Sequence, residues 1–130
     1  MRKLYENIAN ALLALRNCEK SGNTEWLNIW RERLELDLRD ILPSGSGFDC
    51  GSKLDIEASK PNRLVFHTEY HHIDGGGFSA GWTKHAIIVT PSLAQGFDVR
   101  ITGRDRNQIK DYIGIEFAYV LNNEHEWGSV

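Results

Sequence analysis

Apolar residues follow two different periods along this chain, and the change of period divides it. Leu4, Ile8, Ala11, Leu12, Leu15 and Cys18 recur at intervals of three and four. That spacing puts them on one face of an amphipathic helix. Ser21-Gly22-Asn23 ends the helix, with glycine available for a left-handed cap. Asn23 or Thr24 then caps a second helix, with Glu25 near the positive end of its dipole. Leu27, Trp30, Leu34, Leu38 and Ile41 form its stripe, and Pro43 stops it. The short connection makes the two an antiparallel helical hairpin.

Beyond Pro43 the period becomes two. Leu54, Ile56 and Ala58 alternate with Lys53, Asp55 and Glu57, which predicts a first strand. Residues 59–62 read as a turn. Residues 63–73 and 82–90 are rich in β-branched and aromatic types and flank a glycine-rich loop, 74–81. This is the pattern of two antiparallel strands. Residues 97–102 alternate strictly, which implies one buried and one wet face, and 91–96 connects them to the hairpin. Asp105 with Gln108 resembles a capping box for a last helix, with Ile109, Tyr112, Ile113, Phe117, Val120 and Leu121 toward the core. The tail, 122–130, is polar apart from Trp127 and is expected to fray.

The expected fold class is α+β, in the order α-α-β-β-β-β-α. It comprises a helical hairpin, a four-stranded antiparallel sheet and a C-terminal helix, with the helices packed on one sheet face. Residues 1–130 are expected to form a single domain.

Composition narrows the function classes. A chain of 130 residues can bury a core without disulfides or a structural metal. A net charge of −3 does not favour nucleic acid over the whole surface. Cys18 on a helical stripe and Cys50 in a glycine-rich loop match neither a disulfide framework nor a zinc ribbon, so a reducing cytoplasm is expected. The N-terminal stretch is amphipathic, unlike a signal peptide, and no apolar run is long enough to span a bilayer. No membrane association is expected.

The second helix carries another apolar line, Trp26, Ile29 and Leu36. Two readings stand side by side: a contact with a partner or a second copy of the chain, and packing against the end of the first helix. Arg31 with Glu35, Arg33 with Asp37, and Glu35 with Arg39 have the i,i+4 spacing of a solvated helix face.

The hairpin holds four of the five histidines, His67, His71, His72 and His85, with Glu69 and Asp74 among them. Histidine–carboxylate clusters are the raw material of metal sites. His67 and His71 share a strand face but lie roughly 13 Å apart, too far to hold one ion. Glu69 and His71 are same-face neighbours, and His85 joins them only in one of two strand registers. Glu69, His71 and His85 are therefore the candidate metal ligands. A solvated sheet face is the alternative, because no ligand motif of fixed spacing is present; no cofactor is expected. A His–Glu pair could do acid–base work, but no nucleophile or oxyanion site accompanies it.

Arg104, Arg106 and Lys110 at the start of the last helix follow a β-meander, as in double-stranded RNA-binding domains. The lysine- and alanine-rich helix of that family is absent, and Asp105, Asp111 and Glu116 dilute the charge. Nucleic-acid binding through those three residues is the second functional reading.

Leu42-Pro43-Ser44-Gly45-Ser46-Gly47-Phe48-Asp49, Gly81-Trp82-Thr83-Lys84-His85, Thr90-Pro91-Ser92-Leu93 and Gly103-Arg104-Asp105-Arg106-Asn107 together resemble a group of small uncharacterised proteins of bacteriophages and mobile elements. That resemblance implies no activity. It implies a context in which small accessory proteins bind and block a host protein, including a host defence complex, in the bacterial cytoplasm. With no catalytic constellation evident, the leading reading is a non-enzymatic binding protein, an inhibitor of anti-CRISPR type.

Overall fold

The computed structural model describes residues 3–43, 52–92, 96–103, 106–125 and 127; the side chains of Tyr70 and of 106–112 lie outside that description. The fold class is α+β, with helices and an antiparallel sheet. Helix α1 spans Leu4–Ser21 and ends at Gly22, whose φ of +72° is the left-handed cap the sequence called for. Helix α2 spans Thr24–Glu35 and is capped by Asn23, whose side chain accepts a hydrogen bond from the Trp26 amide at 3.2 Å.

The second helix does not continue to Ile41. After Leu36 it tightens into a 3-10 turn, Asp37–Asp40, with bonds from Arg39 N to Leu36 O and from Ile41 N to Leu38 O. Aspartate is a weak helix former because its side chain competes for backbone groups. Leu34 and Leu38 stay fully buried across the change.

Strands β1 (Lys53–Leu54), β2 (Leu64–Ile73), β3 (Ser79–Ser92) and β4 (Gly96–Thr102) form an antiparallel sheet in that order. Isolated bridges join Lys3 to Glu124 and Lys60 to Arg63, so the four strands do not exhaust the extended pairing. Strand β1 is far shorter than the alternation over 53–58 predicted. Asp55 turns the chain instead: its carboxylate accepts from Ala58 N at 3.0 Å and its carbonyl accepts from Ser59 N at 3.0 Å. The Ser59 hydroxyl then accepts from Val65 N at 2.9 Å, satisfying the edge of β2 where a longer strand would have run. Ile56 still reaches the core, from a turn rather than a strand. Strand β3 is longer than expected and carries Pro91 opposite Phe97.

Helix α3 spans Arg106–Asn122. The proposed cap at Asp105 lies outside the described residues, as does Cys50. One apolar cluster unites Leu4, Ile8, Leu12 and Leu15 of α1, Leu34 of α2, Ile113, Phe117 and Leu121 of α3, and Leu64, Phe66, Ile87 and Val89 of the sheet. Phe66 and Phe117 meet with ring centroids 5.1 Å apart. Tyr5 stacks on Phe97 at 4.8 Å and donates to the Pro61 carbonyl; burial pushes its hydroxyl pKa up.

Part of the tail docks instead of fraying. Leu4 N donates to Asn123 O at 2.9 Å, the Asn7 side chain donates to His125 O at 2.6 Å, and Trp127 packs against the core. A buried asparagine needs such a partner, and the backbone of the tail supplies it. On the surface, Arg31 lies 3.6 Å from Glu35, as its spacing predicted, and also reaches Glu19 and Glu57. No described helix is long and apolar enough to cross a membrane.

Candidate functional site

Strands β2 and β3 are longer than their neighbours, and the excess forms an arm. The root of this hairpin, 64–68 against 85–89, contributes Leu64, Phe66, Ile87 and Val89 to the core. The arm, 69–73 against 79–84, has no such cover among the described residues: Ile73, Trp82, Glu69 and Lys84 are all exposed. Strand β1 pairs only with Phe66 and His67, and β4 stops opposite Ala86. The composition changes at the same point, from aliphatic residues to histidine, threonine and glycine.

The tip, 74–78, is closed by its own polar groups. The Asp74 carboxylate accepts from Gly76 N at 2.9 Å and from Phe78 N at 3.0 Å. Asp74 N donates to Phe78 O, and Gly77 N donates to Asp74 O. Aspartate is suited to this because its short carboxylate reaches backbone amides two to four residues on. Gly77 sits at φ +84°, where only glycine is unstrained. The result displays Phe78 with 74% of its surface exposed, its ring lying over Gly76.

Ladder partners project to the same face, so the register assigns every side chain. Thr68 pairs with His85, Glu69 with Lys84, and His71 with Trp82. On the open face, His71 stacks on Trp82 with centroids 4.1 Å apart and an interplanar angle of 11°, and its Nε2 lies 2.8 Å from Ser79 Oγ. His67 Nε2 lies 2.8 Å from Asp55 Oδ2, and this hydrogen bond, with that from Ala58 N, holds the Asp55 carboxyl below its ordinary pKa. On the core face, Thr83 Oγ1 lies 2.9 Å from both His72 Nε2 and His85 Nε2, and His85 Nδ1 lies 3.2 Å from the Thr102 carbonyl.

This register separates the expected metal ligands. Glu69 and His71 lie on the open face, whereas His85 lies on the core face and is only 2% exposed. Among the described residues, no three His, Cys, Asp or Glu side chains converge on a position that could hold an ion. The physical reason is the turn. His72 pairs with Gly81 but Ile73 pairs with Ser79, so Ala80 is an extra residue on β3, and that bulge sets the parity of everything after it.

Trp26 and Leu36 are exposed and Ile29 is half-buried, so the second apolar line of α2 is not consumed within the chain. Arg106 and Lys110 fall in the first turns of α3 with side chains outside the described set, and Arg104 lies outside it altogether. Sequence reasoning singled out neither Phe78 nor the Thr83 junction. A lone phenylalanine between glycines and serine in a polar loop was the available signal for the first. No sequence signal marked the second, because it depends on the bulge.

No protein-family model, curated protein or solved structure matches this chain.

Proposed function

We propose that this chain is a non-enzymatic binding protein that uses the β2–β3 arm to occupy an apolar pocket on a protein partner. The observation that carries the reading is Phe78, a large apolar side chain displayed on a tip already fixed by four hydrogen bonds. Burying such a residue in a pocket gives the large apolar gain typical of an interface anchor. A tip ordered in advance loses little further entropy on docking. Ile73 and Trp82, both about half exposed, extend the contact along the arm. The resemblance to small phage and mobile-element proteins supports a host protein or defence complex as the partner, blocked in the bacterial cytoplasm.

Affinity capture from a bacterial host lysate tests this, with Phe78→Asp and Trp82→Ala as the discriminating variants. The expected result is one stoichiometric partner that both variants lose while both remain folded by circular dichroism. Absence of a stoichiometric partner, or a partner retained by both variants, contradicts the proposal. Exposed Trp26 and Leu36 support a second contact, between two copies of the chain. A sedimentation mass equal to one chain at micromolar concentration would remove that part of the reading.

A further inference from the structure

Strand β4 is the last strand of the sheet, and no described strand pairs with its outer edge. It runs in regular register against β3 from Gly96 to Thr102 and contains neither proline nor lysine. Proteins usually blunt such an edge with a bulge, a proline or a lysine, because its outward amide and carbonyl groups accept another strand. Side chains alternate along it. Phe97, Val99 and Ile101 pack against the core, whereas Asp98 and Arg100 are exposed on the open face. Neither charged residue joins an ion pair among the described residues.

This edge is complementary to its own reverse. Antiparallel pairing of two β4 strands about a two-fold axis at Val99 sets Asp98 of each opposite Arg100 of the other. On the core face it sets Phe97 opposite Ile101. Shifting the strands by two residues keeps the faces aligned but brings Arg100 against Arg100, or Asp98 against Asp98. The helix above the edge supplies an independent observation. A Cβ at Gly114 of α3 would stand 3.7 Å from Val99 Cγ1 and 3.9 Å from Ile101 Cδ1, so the helix lies directly over β4. From there Phe117 reaches inward to Phe66 of β2. Successive helical residues turn by about 100°, which puts Ile115 and Tyr119 on the opposite flank, outward past β4. They are 68% and 70% exposed.

We propose that two copies of the chain join edge to edge through β4 in the Val99-centred register, making one continuous sheet. Main-chain hydrogen bonds between the strands hold the copies together, and the Asp98–Arg100 pairs select the register. The two α3 helices then meet above the junction, where Ile115 and Tyr119 lose their exposure to each other. This surface is separate from the apolar line on α2, which packs beside β1 at the other edge of the sheet. It leaves the β2–β3 arm open and does not depend on the binding role given to Phe78.

Analytical ultracentrifugation of the full chain with two charge reversals tests this. The wild type is expected to sediment as a dimer at micromolar concentration. Arg100→Asp and Asp98→Arg each place like charges opposite one another, and each alone is expected to weaken the dimer by at least about tenfold. Mixed in equal amounts, the two variants regain opposite charges in the same register and are expected to form a heterodimer. Trp26→Glu, on α2, is expected to leave the dimer intact. A monomeric wild type overturns the proposal. So does a dimer that survives both reversals, one lost in Trp26→Glu but kept in Arg100→Asp, or a mixture that stays monomeric. If a reversal fails to fold, hydrogen exchange of the wild type decides: alternate β4 amides are expected to gain protection with concentration, and protection independent of concentration overturns the proposal.

Discussion

The root and the arm of the β2–β3 hairpin belong to the same two strands, yet different forces hold them. In the root, Leu64, Phe66, Ile87 and Val89 are wholly buried and share a cluster with all three helices. In the arm, order comes from the ladder, from the Asp74 turn, from the His71–Trp82 stack and from the hydroxyl and imidazole groups around Thr83. Burial is strong and insensitive to local detail, whereas hydrogen bonds open to water contribute little each. The chain thus places Phe78 and Trp82, two of its exposed aromatic residues, on the part that burial does not hold.

Truncation should expose this asymmetry most strongly. Phe66→Ala removes a ring that meets Phe117 in the closed core, and an expected loss of about 3–5 kcal/mol would consume much of the stability of a domain this size. Trp82→Ala, an equally drastic change on the arm, is expected to cost about 1 kcal/mol or less. Urea denaturation of the two variants side by side measures the contrast.

A smaller loss is expected where arm and root meet. Gly103 has φ +120°, and a Cβ there would lie 2.6 Å from the Lys84 carbonyl oxygen. Gly103→Ala should therefore destabilise by at least about 1–3 kcal/mol, through backbone strain together with that clash. A melting temperature equal to the wild type would show that the end of β4 is looser than its geometry implies.

The smallest effect concerns pH. Asp55 is held below its ordinary pKa of 3.8, first by the hydrogen bond with His67. A carboxylate lowered on folding stabilises the fold above its unfolded pKa, and the contribution disappears as pH falls through the folded value. Asp55 and His67 are both open to solvent, so the increment is expected to be below about 1 kcal/mol. Asp55→Asn should flatten the stability curve in the acid limb and leave the rest of the curve unchanged in shape.

Element type was legible in the sequence wherever one period ran long enough. The stripe Leu4 to Leu15 and the alternation around residues 97–102 each gave the right element. The failures have separate causes. The alternation of Leu54, Ile56 and Ala58 fits a strand, but a turn built on Asp55 also keeps Leu54 and Ile56 inside. Aspartate's turn preference was visible and was outweighed by the pattern. The docked tail was foreshadowed by Trp127, whose burial outweighs the polar residues around it. The histidine geometry was beyond reach because the bulge at Ala80 decides which face His85 takes, and no local propensity fixes a single extra residue in a glycine-rich stretch.

Amide hydrogen exchange tests most directly whether the arm is ordered yet independent of the core. Backbone amides of Leu64, Phe66, Ile87 and Val89 are expected to exchange only through global unfolding, while arm amides show protection that a smaller local opening relieves. Asp74→Ala, which removes the carboxylate bonds to Gly76 N and Phe78 N, should lower protection across 69–84 and leave the root unchanged. A single opening free energy shared by root and arm would contradict this account, as would an arm without protection in the wild type.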